Sequence, residues 1–202
     1  MVPKLYLVLS LVLGIGIGLI APTVMAIAGG SGDHHSSGHG SSAASSHALS
    51  ETRTQISRSA TVETKYPPEQ AIQLFTAEGE KYWLGDVGWN PAFLRGDGFS
   101  RNDIFAVGSN IFITTNYDAQ DGVAEYARVQ LGKTAGIVEV RVSAHGDGSM
   151  AEVTYNMASL NSEGDAVLAK MTDEAFAAEM ANWQATIEAN DAAIDGWIAS
   201  RN

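Results

Sequence analysis

Few residues of this chain are equipped for chemistry, and those few are widely spaced. Tyr126 and Arg128 alternate through VAEYARVQL, so they share one face of a predicted strand with Ala124 and Gln130. Turned inward, that face offers a guanidinium to a carboxylate or phosphate head, with a phenol on the wall beside it. Turned outward, Arg128 would pair with an acid such as Glu139, and Glu125, Ala127, Val129 and Leu131 would face in. Tyr155 is a second phenol in a strand pattern, on one side with Val153 and Met157. His145 lies in HGDG, a hairpin-loop signal, and reads as an exposed turn residue rather than a catalytic base. The sequence has no Ser/His/Asp pattern, no G-x-S-x-G and no recognisable cofactor motif. It has no cysteine, which excludes disulfides, thiolate metal sites and cysteine nucleophiles.

Two tryptophans stand where neither helix nor strand periodicity holds. EGEKYWLGDVGWNP, residues 78–91, places Trp83 and Trp89 among Gly79, Gly85, Gly88 and Pro91, and Phe93 follows. Side chains this large in a loop serve either as a ligand surface or as plugs that complete a core.

The N-terminus bears on compartment. Lys4 is followed by an apolar run of 17 residues, Leu5 to Ala21, and then by Ala26 and Ala28 at signal-peptidase spacing. Residues 1–28 are expected to be a signal peptide or an uncleaved membrane anchor. Either way the rest of the chain is expected outside the cytoplasm, in the periplasm of a two-membrane bacterium. Residues 29–52 are nearly all Gly, Ser, Ala and His and cannot bury enough apolar surface to order, so a flexible linker is expected. Its His34, His35 and His39 are of the type that binds Zn²⁺, Cu²⁺ or Ni²⁺, with a polar spacer as the plain alternative. The net charge of −11, 23 acids against 12 bases, argues against a nucleic-acid partner.

Residues 53–202 must supply the fold that positions these groups. Arg53–Lys65 alternates like a half-buried strand, and Pro67-Pro68 then suits a helix start. Glu69–Phe75 is a short amphipathic helix, with one more turn over Glu78–Trp83. Period-two patterns run over Phe99–Val107, Ile111–Tyr117, Val123–Leu131, Gly136–His145 and Met150–Leu160, separated by short turns that imply antiparallel pairing. Ser162 and Asp165 look like a capping box. From there Leu168, Met171, Phe176, Met180, Trp183 and Ile187 recur at helical spacing, in a helix of about 30 residues that restarts at Thr172 if it breaks. The expected class is α+β: a curved six-stranded antiparallel sheet wrapped on a long C-terminal helix, with two short helices after the first strand. A helix crossing a curved sheet leaves a cavity between them.

The same residues carry a resemblance. Pro67-Pro68-Glu69, Thr76-Ala77-Glu78-Gly79-Glu80 leading to Trp83, and Gly88-Trp89-Asn90-Pro91 match motifs of one superfamily in order. So do Tyr117-Asp118, Glu125-Tyr126, Val153-Thr154-Tyr155, Leu160 and Trp183. The chain resembles the SRPBCC superfamily, also called START-like or Bet v 1-like, in its polyketide cyclase/dehydrase-like bacterial branch. The match covers residues 53–202, and Asn90 stands where aspartate is usual. The resemblance implies a helix-grip fold with a hydrophobic small-molecule or lipid pocket between sheet and long helix, and strand phase, loop position and helical spacing offer Trp83, Trp89, Phe93, Tyr126, Arg128, Tyr155, Met157, Met171, Phe176 and Trp183 as its lining. It does not imply a reaction, because the fold serves many roles. Three functions stay open: a carrier or sensor without catalysis, a cyclase/dehydrase-like enzyme in which Tyr126, Tyr155 and Arg128 polarise a carbonyl, and an interaction module with a filled core.

Overall fold

The computed structural model describes residues 53–85 and 88–201. The expected export signal or anchor (1–28), the linker (29–52) and the histidines His34, His35 and His39 lie outside the described residues.

Strand β1, Gln55–Thr64, alternates exposed and inward residues as its sequence requires, with Val62 fully buried. Pro67 in extended conformation precedes α1, Pro68–Ala71, whose first position tolerates proline because its N–H would be unpaired anyway. A 3₁₀ turn over Ile72–Phe75 and the short α2, Lys81–Leu84, follow. Strands β2 (Ala92–Arg95), β3 (Ile104–Val107), β4 (Asn110–Asp118), β5 (Val123–Gln130), β6 (Thr134–His145) and β7 (Gly148–Ser159) complete one antiparallel sheet in the order β1-β7-β6-β5-β4-β3-β2. The C-terminal helices are α3 (Ser162–Leu168), α4 (Asp173–Ala189) and α5 (Asp191–Ala199).

The sheet has seven strands, one more than the periodicity predicts. Strand β2 is four residues long and bulged between Phe93 and Arg95, too short for an alternation to declare itself. The strand expected from Phe99 starts only at Ile104. The buried Asp103 carboxylate accepts the N–H groups of Asp97, Gly98 and Ser100 (3.3, 3.0 and 3.0 Å) and holds them in a turn. Gly98 sits there at φ 91° and Asn102 at 69°.

The single long helix is three. Residues 169–172 form the first break, and the Thr172 hydroxyl accepts from Ala175 N–H to cap α4. At Asn190 the backbone leaves the helical region (φ −110°, ψ 15°), with its side chain donating to the Thr186 carbonyl. The expected Ser162–Asp165 capping box does not form. Asn161 caps α3 by accepting from Gly164 N–H at 2.9 Å. Asp165 instead accepts from Thr54 N–H and the Ser159 hydroxyl, tying α3 to the ends of β1 and β7 and holding its carboxyl down at about 2.

The inner face of α4, Phe176, Met180, Trp183 and Ile187, packs against the concave sheet face, where Val62, Val140, Val153 and Tyr155 are buried. Burying each such side chain is worth about 1.5–3 kcal/mol, so this seam contributes substantially to stability. Phe75 and Trp83 close one end of it by meeting Trp183, with ring centroids at 6.5 and 5.3 Å.

Candidate functional site

The enclosed site is built on a four-residue stretch of backbone, Leu74–Ala77, that three aromatic donors hold in place. Trp83 Nε1 donates to the Leu74 carbonyl at 2.8 Å, Tyr126 Oη to Phe75 at 3.0 Å and Trp89 Nε1 to Ala77 at 3.1 Å. Both loop tryptophans are thus buried plugs whose polar edges satisfy backbone that would otherwise be orphaned. Thr76 tightens the next turn: its hydroxyl donates to the Gln73 carbonyl at 2.7 Å and accepts from Gly79 N–H at 3.1 Å. A Cβ on Gly79 would lie 2.0 Å from the Gln73 carbonyl oxygen, so only glycine fits. This turn directs Glu80 inward.

Between sheet and helix lies a cavity of about 30 Å³. Its wall includes Phe75, Trp89, Phe105, Phe112 and Trp183, with Glu80, Tyr126, Arg128 and Tyr155 as polar members. Glu80 is 9 % exposed and its carboxyl makes no hydrogen bond or ion pair among the described residues. Burial alone holds that carboxyl well above the usual carboxylate range. The Tyr155 hydroxyl likewise has no hydrogen-bond partner among the described residues, and burial pushes it up to about 12, against the pull of Arg128. Tyr126 is also raised by burial, so both phenols are protonated at neutral pH.

The strand-face question resolves inward. Ala124, Tyr126, Arg128 and Gln130 are buried, and Glu139 forms its ion pair with Arg141 instead. Arg128 Nε donates to Asn110 Oδ1 at 3.1 Å, and its guanidinium lies 5.8 and 5.7 Å from the Phe112 and Tyr155 ring centroids. Burial lowers its pKa from the ordinary value. Opposite, on α4, Glu179 accepts from Trp183 Nε1 at 3.0 Å, which offsets part of the upward push that burial exerts on its carboxyl.

Of the ten pocket residues expected, Trp89, Tyr126, Arg128, Tyr155 and Trp183 line the cavity. The other five do not. Trp83 is packed behind Phe75, Phe176 stacks edge-on to Tyr155 at 5.2 Å, and Phe93 is half-buried beside Phe105. Met157 packs against Gly136, and Met171, before α4, gives its carbonyl to Arg58 Nε at 3.1 Å. Sequence reasoning missed Glu80, Phe75, Phe105 and Phe112. Glu80 reads as surface because Lys81 follows it, and Gly79 before it marks a turn without giving its direction. His145 is exposed at the end of β6, 3.8 Å from Glu63, away from the cavity wall. Among the described residues no cluster of three His, Cys, Asp or Glu is placed to hold a metal, and no helix is long and apolar enough to cross a membrane.

Solved structures share this architecture. The crystal structure of Ara h 8.0201 superposes with a TM-score of 0.50 at 13% identity, over 73% of this chain and 99% of that one. Ginseng major latex-like protein 151 from Panax ginseng superposes with a TM-score of 0.50 at 11% identity, over 67% and 96%. No family model matches the sequence, and no curated protein matches it. The fold is a Bet v 1-like helix-grip fold with an open seven-stranded antiparallel sheet.

Proposed function

We propose that the domain is a carrier or sensor that binds a hydrophobic small molecule in the cavity between sheet and α4, outside the cytoplasm. One observation carries the binding reading. An aromatic-walled cavity has two polar groups on its wall, the Glu80 carboxyl and the Tyr155 hydroxyl, that make no hydrogen bond to the described residues around them. Buried polar atoms are nearly always paired in folded proteins, and a ligand is a natural partner where they are not. The apolar run Leu5–Ala21 and the small residues at Ala26 and Ala28 support export.

Cavity size favours a second reading. Pockets for drug-sized ligands span roughly 300–1,000 Å³, whereas about 30 Å³ holds a water or two. An interaction module with a filled core accounts for that volume. Native mass spectrometry of the protein purified from an extracytoplasmic or membrane fraction, with solvent extraction of what co-purifies, separates the two. We expect a defined organic adduct on a chain shortened at residue 26 or 28, or retained whole in the membrane. An adduct-free protein would favour the filled module, and a full-length soluble cytoplasmic chain would overturn export.

A further inference from the structure

An antiparallel sheet with one face packed on a core is ordinarily polar on the other, and this sheet is polar over only part of it. Across β3 to β6 the register lines up Ile104, Ile113, Ala127 and Ile137 in one row. The next row is Ala106, Ile111, Val129 and Ala135. These residues alternate with the buried ones of the concave face, so they stand on the convex face, half-buried by one another or, like Ile113, 37 % exposed. Leu94 and Leu131 flank them, 62 % and 61 % exposed. Around the two rows the convex face is polar. Glu125, Glu139 and Thr154 form the next row towards one end of the strands, Asn156 and Ser57 continue the isoleucine row onto β7 and β1, and Arg95 bounds it at β2. At about 4.8 Å between strands and about 3.4 Å per residue, the patch covers roughly 300 Å², a size that is often functional on a monomer's surface.

We propose that this patch is the contact between two copies of the chain, packed face to face about a two-fold axis that runs along the rows. The proposal does not depend on what the cavity holds. Neither row carries a charge, so an acidic or basic partner would lose solvation there and gain no ion pair. Residues 29–52 offer little to cover it, since Leu49 is their one large apolar side chain. A second copy fits in two ways. The axis sets the isoleucine row of one copy over the second row of the other. Ile104 then meets Ala106, Ile137 meets Ala135 and Val129 meets Ala127, large against small, with Ile113 against Ile111 between them. The same rotation brings Glu139, two residues beyond Ile137 on β6, towards Lys133, two residues before Ala135. An acid thus faces a base at each rim. An axis along the strands would instead set Glu125 and Glu139 against their own copies, like charge on like. Roughly 300 Å² of apolar contact is well short of the ~800 Å² per partner of a standard interface, so the dimer is a reversible one.

The chain has no cysteine, so one introduced thiol reports without background. Full-length chain carrying Ile113→Cys is treated with a short bismaleimide in the cell fraction that holds it. A covalent species of twice the mass is expected, at least roughly tenfold more abundant than from Ser143→Cys, an exposed position on β6 in the polar half of the same face. Adding Ala127→Lys to Ile113→Cys should cut the yield by at least roughly tenfold, because it sets an unpaired ammonium inside the apolar contact. Ile137→Thr, which keeps a branched side chain suited to a strand, should also lower the yield, and it carries the test if the lysine variant does not fold. Equal yields from Ile113→Cys and Ser143→Cys, or no dimer from either, would overturn the proposal. A dimer that survives both Ala127→Lys and Ile137→Thr would place the contact elsewhere and overturn it too. A cross-link to a chain of another mass would give the face to a different partner and overturn the second copy.

Discussion

A carboxyl buried without a partner destabilises the fold that encloses it, and Glu80 makes this measurable. In the unfolded chain a glutamate releases its proton near pH 4.3, whereas burial delays that release in the folded state. Below the unfolded value both states are protonated and Glu80 does no harm. As pH rises beyond it the unfolded chain ionises first, so stability falls until the folded pKa is passed. Glu80→Gln removes that dependence while keeping the shape. We expect it to stabilise the protein by about 1–3 kcal/mol at pH 8 and to change little at pH 4, in urea denaturation at the two pH values. A Gln variant no more stable at pH 8 would mean that the carboxyl has a partner in solution. Glu179 shares the direction of shift, but Trp183 Nε1 already donates to it, so its substitution should matter less. Part of this was legible in the residues alone. The pairing of Tyr126 with Arg128 on one strand face follows from period two, but which face points in does not, since both are mixed. Only the order of strands and the course of α4 decide it. Glu80 was illegible for the opposite reason: its inward direction comes from a turn, and turns carry no period.

At the scale of elements, the segment between β1 and β2 is what brings Glu80 and the two loop tryptophans to the sheet, and it depends on one glycine. Any side chain at Gly79 meets the Gln73 carbonyl oxygen, a backbone atom that cannot swing aside. Gly79→Ala should therefore destabilise by about 2–4 kcal/mol, in line with strain and overpacking at a rigid site. It should also disturb the near-ultraviolet circular dichroism of the Trp83–Trp183 pair more than the far-ultraviolet signal of the sheet. A neutral effect would show that the turn at Thr76–Gly79 is loose and that Glu80 is not directed by it. The long strands β5 and β7 were readable because buried residues alternate along their length, and β6 because Val138, Val140 and Val142 alternate through its middle. Strand β2 was not, because four bulged residues show no alternation, nor was the turn before Asp103, because a side chain rather than a periodic pattern organises it: Asp103 reaches back to Asp97 and Gly98. The restart at Thr172 was legible in its cap residue and the acids that follow, whereas the break at Asn190 was not, because the apolar spacing continues across it.

For the whole molecule, the grip of α4 on the sheet leaves little room, and this opposes stability to binding. A carrier needs space in its core, whereas every void forfeits contacts. Val140, buried on β6, lines the cavity, and Val140→Ile adds one methylene there with a branched side chain that suits a strand. Filling the void should stabilise the apo protein by up to about 1 kcal/mol, the transfer free energy of one methylene. The same methylene takes the volume a ligand body needs, so binding of whatever small molecule co-purifies should weaken by roughly tenfold or more, a loss comparable to one misplaced methyl in a tight pocket. Thermal denaturation of the protein with its co-purified molecule and after that molecule has been extracted reads both effects at once. If the domain is a binding protein, the substitution raises the apo midpoint and shrinks the ligand-induced rise. If it is a filled interaction module, the added methylene overpacks a finished core, lowers the midpoint by an amount typical of such strain, and leaves no ligand response to lose. The two outcomes differ in sign, so a single substitution at the concave face of β6 tells a site from a core.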